Sequence, residues 1–160
     1  MGEFSEFSLP VRLFLHAYPW RRIEPVPWTA LKKPLVQCRM ALVSSAGFVL
    51  PHQPRFDAKI KGGDPSFREI PSDTPVQSLI ETHRSKSFDH EGMRQDPNLA
   101  FPLDRVRELE GRQRLGSVNR RHLSFMGSIT APGRFVRDTV PQAASWLTED
   151  GVDVALLVPV

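Results

Sequence analysis

The sequence predicts an α/β fold with three layers and a mostly parallel sheet, of the Rossmann or flavodoxin-like kind, in a single domain. Two short apolar runs rich in β-branched residues carry this prediction, at residues 36–43 and 152–160. Such runs are typical of strands that are buried on both faces of a parallel sheet. Parallel strands are joined by helical crossovers, and helical patterns stand between these two runs.

We expect residues 1–34 to form an extended or helical arm and residues 35–160 to form the α/β domain. Apolar residues recur from Phe4 to Tyr18, which indicates a short amphipathic helix that packs on the domain or on a partner subunit. The prolines that follow favour extended backbone, and Trp20 and Trp28 are expected to anchor it.

The first strand is expected at residues 36–43, and it ends in small residues that include Ser44, Ser45 and Gly47. A strand that ends in this way can offer backbone N–H groups to an anion or to a substrate carboxylate. An ordinary tight turn has the same composition, so both interpretations stand. Cys38 falls inside the strand, where it is expected to be a small buried hydrophobic residue rather than a nucleophile.

The middle of the chain is rich in loops. Residues 51–75 and 120–127 are predicted as loops, and residues 76–82 fit either a short helix or a strand. A helix is predicted from about residue 102 to residue 113, because its apolar residues recur at helical spacing and an acidic residue lies in its first turn.

A second helix is predicted over residues 140–149. Thr139 is its candidate N-cap, Pro141 lies in its first turn and Gly151 follows its last turn. The run at 152–160 is then expected to be a buried central strand with no covering helix after it. Active-site groups collect at the carboxyl ends of such strands, so the chain is expected to stop just before its reactive residue.

Three ionisable residues lie close together in one polar segment: His83, Asp89 and His90. Two histidines and a carboxylate can bind a metal ion, or a histidine can act as a general acid that the carboxylate orients. Histidines in solvated loops form the same pattern. We expect supporting roles for these residues and for His122, which ends a small basic cluster, and we predict no metal site.

Charged residues at two further places are candidates for substrate binding. Arg68 could hold a substrate carboxylate through its guanidinium, or it could pair with Asp64 or Glu69 and fix a proline-rich loop. Asp104 and Arg105 open the predicted helix at 102–113, where they either complement the helix dipole or contribute to binding. The predicted substrate-binding residues are therefore these five charged residues and the three residues at the end of the first strand: Asp64, Arg68, Glu69, Asp104, Arg105, Ser44, Ser45 and Gly47.

Composition narrows the class of protein. The chain has 160 residues, a formal net charge of +3 and a single cysteine, which excludes an internal disulfide framework and fits a reducing, cytoplasmic setting. No apolar stretch approaches the length of a membrane span, and the N-terminus lacks a signal-peptide pattern. The balanced charges predict no nucleic-acid partner. A GxGxxG fingerprint is missing, so nucleotide binding ranks last among the candidate functions.

Several blocks of residues together resemble the selenoprotein B family of glycine, sarcosine, betaine and D-proline reductases. The resemblance extends from about residue 20 to residue 160. It is carried, in order, by Pro27-Trp28, Lys33-Pro34-Leu35, Ala41-Leu42-Val43-Ser44-Ser45-Ala46-Gly47, Gly63-Asp64-Pro65-Ser66-Phe67-Arg68-Glu69-Ile70-Pro71, Ser87-Phe88-Asp89-His90, Asp96-Pro97-Asn98, Phe101-Pro102-Leu103-Asp104-Arg105-Val106-Arg107-Glu108-Leu109, Leu115-Gly116-Ser117-Val118 and Arg121-His122-Leu123-Ser124-Phe125-Met126-Gly127.

The resemblance implies a selenol- or thiol-dependent reductase that cleaves a C–N bond of a small substrate and transfers oxidising equivalents to a dithiol or disulfide partner protein. In the family, the strand that matches 152–160 runs into a selenocysteine or cysteine, followed by a Pro-x-Cys-His segment and a covering helix. We therefore expect the redox residue to follow Val160, with a selenocysteine UGA codon read as a stop. A designed truncation and a natural non-catalytic relative are the alternatives.

The expected function is thus a reductase of this type that is inactive as the 160-residue form, and no cofactor is expected in this chain. The alternative is a non-catalytic small-molecule-binding or regulatory module with the same fold. Because the terminal strand would leave apolar surface or a sheet edge open, we also expect a homo-oligomer that buries this region.

Overall fold

The structure, a computed structural model, describes residues 7–18, 22–86 and 88–160. It divides into two compact units, Met1–Ala30 and Leu31–Val160. The predicted roles of Phe4 and Trp20, and the family-like residue Ser87, lie outside the described residues.

In its described residues, 7–18 and 22–30, the first unit contains one helix, α1, at Leu9–Ala17. Pro10 lies in its first turn, where the missing N–H has no intrahelical partner to lose. The rings of Phe14 and Tyr18 lie 5.6 Å apart, one helical turn from each other. The helix predicted in this stretch is confirmed.

The second unit contains the remaining helices and all the strands of the described chain. Its helices are α2 His90–Gln95, α3 Leu103–Gly111 and α4 Val140–Glu149; its strands are β1 Arg39–Ser44, β2 Phe48–Val49, β3 Phe67–Pro71, β4 Ile80–Glu81, β5 Ser117–Val118, β6 Arg121–Phe125 and β7 Val154–Val158. Short 3₁₀ turns occur at Leu35–Gln37, Val76–Ser78 and Pro97–Leu99, and a π turn at Phe135–Thr139 leads into α4.

Strand β1 is the centre of the main sheet. From Met40 to Ser44 it pairs in parallel with β7 on one side, and it pairs in parallel with β5 and then β6 on the other. Strand β3 adds to the far side of β6 in the antiparallel direction, so the sheet is mixed. The α/β prediction is confirmed for the class and for the parallel strands around β1. The Rossmann or flavodoxin-like topology is not clearly reproduced.

Apolar side chains cover both faces of this sheet. On one face Leu42 and Ile70 pack with Leu103 and Val106 of α3 in the larger core. On the other face Leu123 and Phe125 pack with Ala143, Trp146 and Leu147 of α4. Helix α4 ends where Gly151 adopts a φ of +66°, a conformation that glycine tolerates best. The predicted bounds of α4 are confirmed, but the prediction that Thr139 caps it is wrong, because Thr139 ends the preceding π turn in a helical conformation and its side chain makes no capping hydrogen bond.

Several predicted elements need correction. The first strand begins at Arg39 rather than residue 36, because Leu35–Gln37 forms a 3₁₀ turn and Cys38 caps it. Residues 67–71 and 121–125 are strands rather than loops. Neither segment has a strong strand pattern of its own. They pair with each other in the antiparallel direction although they are fifty or more residues apart in the sequence, and this pairing orders both.

The terminal strand is confirmed as a parallel strand, but the prediction that it is buried and central is wrong. Among the described residues β7 pairs only with β1, so it is an edge strand. Its central residues are exposed, with Leu157 at 67% of full exposure. Its apolar sequence predicts burial, but β7 has a neighbouring strand on one side only, and this leaves its side chains partly exposed.

Candidate functional site

The carboxyl ends of β1, β6 and β7 meet at one edge of the sheet. Backbone hydrogen bonds hold them together: Ser45 N–H donates to the Val158 carbonyl at 3.1 Å, Gly47 N–H to Phe125 at 2.8 Å, and Gly127 N–H to Ser45 at 2.8 Å. We call these five residues the strand-end crevice. Parallel strands place ligand sites at this end, since the chain must turn away there and leaves room between the turns.

An apolar groove begins at the crevice and runs between the sheet and α4. Its volume is about 610 Å³, within the range of small-molecule pockets. We call it the α4 groove, and none of the residues that line it carries a charged side chain. Its walls include Val43, Leu123, Phe125, Phe135, Ala143, Leu147 and Leu157, and Ser45 and Gly127 lie at its polar end.

His83 packs against the crevice from outside the sheet. Gly47 has a φ of +71°, and a Cβ there would stand 3.0 Å from the backbone nitrogen of His83. A Cβ on Gly127 would stand 3.0 Å from His83 Nε2. Both glycines therefore allow the histidine to approach closely, and the sequence-predicted residues Ser45, Gly47 and His83 come together here.

The tautomer of His83 follows from its hydrogen bonds. Ser85 N–H donates to His83 Nδ1 at 3.0 Å, so Nδ1 is an acceptor and the ring proton of the neutral form lies on Nε2. Burial lowers the pKa of His83 below its usual value, which favours this neutral form. The Nε2 atom has no hydrogen-bond partner among the described residues.

A buried carboxylate, Glu81, joins the two predicted histidines of this region. One of its oxygens accepts a hydrogen bond from His83 N–H, and the other lies 2.9 Å from His90 Nδ1. His90 Nε2 lies 2.6 Å from the Ser85 carbonyl, and its ring stacks on Phe88. Sequence reasoning missed Glu81. It lies in β4, and the pairing of β4 with β2 places it beside the crevice. Its only signal was its position two residues before a histidine.

Asp89 and His122 do not join this group. The Asp89 carboxylate caps α2 by accepting from Gly92 N–H at 2.9 Å. His122 is fully buried within the sheet, where its Nδ1 accepts from Leu42 N–H at 3.0 Å. Burial, with a smaller effect from Arg107, lowers the pKa of His122 to about 4, so the ring is neutral. Its ring packs edge-on against Phe101.

The charged residues of the 64–69 segment organise their own loop. Burial alone would raise the pKa of Asp64, but hydrogen bonds from Ser66 and Asp57 lower it. The Arg68 guanidinium donates to the Pro54, Arg55 and Phe67 carbonyls and to Ser66 Oγ, and it lies 4.3 Å above the Phe56 ring.

The remaining predicted binding residues have protein partners as well. Glu69 lies 3.9 Å from Arg121 rather than beside Arg68. In α3, Asp104 pairs with Arg107 at 2.7 Å, and Arg105 pairs with Glu108 at 2.8 Å. Ser44 Oγ donates to the Ala100 carbonyl at 2.7 Å, and Ser45 Oγ accepts from Val160 N–H at 2.9 Å.

The opposite, amino-terminal edge of the sheet carries an ion cluster that sequence reasoning did not find. The Asp150 side chain, 2% exposed, accepts hydrogen bonds from Arg121, Arg120 and Asn119. Burial opposes its charge, but these bonds hold the pKa of Asp150 well below its usual range. Arg121 also stacks on Trp146, which ties β6 to α4.

Two kinds of feature are not found in the described part of the chain. In residues 7–18, 22–86 and 88–160, no group of three or more His, Cys, Asp and Glu side chains is arranged to hold a metal ion. No helix in these ranges is long and apolar enough to cross a membrane.

Comparison with known proteins identifies the family. The model of the glycine/sarcosine/betaine reductase selenoprotein B family matches residues 9–159. The chain belongs to this family. It is also 34% identical, over 136 residues, to the D-proline reductase subunit gamma of Acetoanaerobium sticklandii. The match covers 84% of the present chain and 54% of that relative, so the chain spans about half the relative's length. No solved structure matches.

In this selenoprotein B family member, the single cysteine lies far from the crevice. Cys38 is fully buried, and its thiol donates weakly to the carbonyls of Lys33 and Pro34, each at 3.4 Å. It precedes β1, whereas Ser44 ends β1, and six residues of strand separate the two ends by about 20 Å. The thiol therefore cannot reach a molecule at the strand-end crevice.

Proposed function

We propose that this chain is part of a selenol- or thiol-dependent reductase that acts on a small amino acid or amine at the strand-end crevice. Family membership is the observation that carries the proposal. The crevice supports it, because three parallel strands end there beside a buried histidine. The name of the matched relative, a D-proline reductase subunit, agrees with this class of substrate.

Reductive cleavage of a C–N bond consumes two electrons and two protons. The carbon gains hydrogen, the nitrogen leaves as an amine, and a dithiol (or a selenol and a thiol) is oxidised to the corresponding S–S or Se–S bond. Cys38 cannot take this role at the crevice, so we propose a selenocysteine or cysteine from polypeptide outside these 160 residues, and no cofactor held by this chain. A thiol–disulfide partner protein would then restore the reduced state.

Within this proposal the site residues have unequal roles. Ser45, Gly47 and His83 would contact the substrate or the redox group, while Glu81 and His90 would hold His83 in place. Asp89 and His122 are proposed as structural residues. The same role is proposed for the predicted binding residues Ser44, Asp64, Arg68, Glu69, Asp104 and Arg105, since each is bonded within the protein.

The proposal includes protein partners. The relative is named as a subunit, which supports assembly with other chains. We propose that the exposed edge of β7 contributes to such assembly, including self-association, and that the arm at residues 1–34 contacts a partner. The cytoplasm, with its reducing thiol pool, is the proposed compartment.

A second candidate is a binding or regulatory module without redox chemistry. The burial of Cys38 favours it, because no accessible thiol is present in these 160 residues. The two candidates predict different results when the chain is isolated with its natural partners. The reductase predicts turnover of a substrate, and the module predicts binding without turnover.

The test is to isolate the affinity-tagged chain from its source cells with its bound partners. Glycine, sarcosine, betaine and D-proline are then supplied with a dithiol. We expect release of ammonia, methylamine or trimethylamine, or opening of the proline ring, and inhibition by an alkylating agent. Substrate binding without turnover in the intact assembly would favour the module. Neither binding nor turnover would refute both.

A further inference from the structure

A polar cavity lies at the amino-terminal edge of the sheet, at the other end of β1 from the strand-end crevice. Its volume is about 600 Å³, and we call it the amino-edge pocket. Its walls are mainly polar, in contrast to those of the α4 groove, so it suits a polar ligand. The side chains that matter for this ligand are those of Arg39, Ser72, Ser117, Arg120, Glu149 and Asp150.

The protein uses only part of the hydrogen-bonding capacity of this pocket. Arg120 donates to the Asp150 carboxylate through Nε and Nη2, and Arg39 donates to the Asp150 carbonyl through Nη1. A guanidinium carries five N–H groups, so both arginines keep donors for a ligand. Within the described ranges, Ser72 and Ser117 bond through their backbone groups, which leaves two half-buried hydroxyls in the pocket.

The two carboxylates of the pocket differ in accessibility. The Asp150 side chain is 2% exposed, and its oxygens already accept hydrogen bonds from three side chains of β6 and the turn before it. Glu149 is exposed, in the last turn of α4, and its Oε1 accepts from Ser145. The groups that a ligand can reach are therefore two guanidiniums and one carboxylate.

This balance of charge restricts the class of ligand. Phosphate would pair with the guanidiniums but would also lie beside the carboxylates of Glu149 and Asp150, and a simple amine would lie beside two guanidiniums. A ligand that carries both charges avoids both repulsions. The carboxyl end of α4 favours the same arrangement, because the negative end of a helix dipole stabilises a positive charge.

We propose that the amino-edge pocket binds a small zwitterionic amino acid. Its carboxylate pairs with the guanidiniums of Arg39 and Arg120, and its ammonium group pairs with Glu149 at the end of α4. This second site goes beyond the proposed reductase function, since it lies at the opposite edge of the sheet from the strand-end crevice and includes no redox step.

The experiment compares four probes: L-alanine, propionate, ethylamine and inorganic phosphate. Propionate lacks the ammonium group of alanine, and ethylamine lacks its carboxylate. Each is titrated into the 160-residue chain, and the backbone amide signals of Ser117 and Asn119 are followed by NMR. We expect alanine to bind with a dissociation constant of about 1 mM or tighter, and the other three to bind at least about tenfold more weakly.

Two substitutions assign the two ends of the ligand. Glu149→Gln should weaken alanine about five- to tenfold and leave propionate within about twofold of wild type, because only alanine has an ammonium group. Arg39→Gln should weaken both at least about fivefold, because both have the carboxylate. The matched controls are Glu91→Gln and Arg94→Gln, which separate an exposed ion pair on α2. Thermal melting verifies that each variant is folded.

Each outcome decides the proposal without an enzymatic assay. Phosphate or propionate binding as tightly as alanine would overturn it in favour of a plain anion site. Equal loss of alanine and propionate in the Glu149→Gln variant would overturn the assigned ammonium contact. No alanine binding by the folded chain, or signal changes confined to the strand-end crevice, would overturn the site itself. Alanine binding as expected, in a chain whose assembly shows no reductase activity, would support this pocket and refute the reductase.

Discussion

At the scale of single residues, three histidines with the same intrinsic chemistry have three different environments. His90 lies between a carboxylate and a carbonyl, His83 has its Nε2 unpaired beside the crevice, and His122, whose Nε2 is also unpaired, is enclosed in the sheet. A sequence assigns them one residue type. Their positions in the fold, and not their residue type, give them these different surroundings.

Because His122 is buried as a neutral ring, we expect the free energy of unfolding to depend on pH. Its pKa is about 4 in the folded chain against about 6.5 when unfolded, so the unfolded state binds the proton more tightly. Its contribution is complete above about pH 6.5 and is lost as the pH falls towards 4, by a total of about 3 kcal/mol. Urea unfolding at a series of pH values measures this loss.

The matched variant for this experiment is His122→Asn. It keeps an acceptor for Leu42 N–H but does not titrate. We expect its stability to fall less steeply than that of wild type between about pH 6.5 and about pH 4.5. Parallel stability curves for the two proteins would show that His122 does not cause the dependence.

Replacing Asp150, which lies far from the crevice, is expected to lower stability strongly. Replacing it with asparagine removes the charge that neutralises Arg121, whose side chain is 14% exposed. Because this leaves a nearly buried cation with only the more distant Glu69 carboxylate, 3.9 Å away, we expect a loss of about 3 kcal/mol in the free energy of unfolding.

Asp138→Asn is the control for Asp150→Asn, since Asp138 pairs with Arg137 on the surface. Its removal should change the free energy of unfolding by less than about 1 kcal/mol. Urea titration measures both variants. Similar losses would mean that the Asp150 cluster is not the stabilising contact that its burial indicates.

At the scale of elements, β7 is the strand whose environment differs most from its sequence. Val154–Val158 contains no charge and no proline, the usual means of protecting a sheet edge, and yet it lies at one. Apolar composition favours burial, so this edge is the surface expected to associate with another polypeptide.

Leu157→Lys tests that expectation. We expect wild type to self-associate and the variant to shift towards monomer, because a lysine on an edge strand opposes further strand pairing. Light scattering on a sizing column measures the mass. Leu99→Lys, at a leucine of similar exposure on a 3₁₀ turn, should leave the mass unchanged. A monomeric wild type would contradict the predicted homo-oligomer.

At the scale of the whole molecule, the one cysteine and the crevice lie at opposite ends of β1. We expect Cys38 to resist alkylation in the folded chain and to react fully in denaturant, because a thiolate must be exposed to react. Mass spectrometry after iodoacetamide treatment measures this. Rapid labelling of the native protein would place the thiol within reach of redox chemistry.

The α/β class, the two apolar strands, α3 and α4 were predictable, because each depends on residues that are neighbours in the chain. Leu103 and Val106 recur at helical spacing, and Gly151 follows α4 where a left-handed residue is needed. The family was recognisable for the same reason, since its blocks are contiguous stretches of sequence.

Pairing between distant segments was decided only by the tertiary structure. Strands β3 and β6 order each other, the Asp150 cluster joins residues about thirty positions apart, and the pairing of β2 with β4 sets Glu81 opposite Phe48. Arg68 and Asp104 resembled ligand-binding residues in the sequence, but in the fold their polar atoms bond to the protein. Local propensity acts along the chain, whereas hydrogen-bond partners and burial depend on which segments the fold brings together.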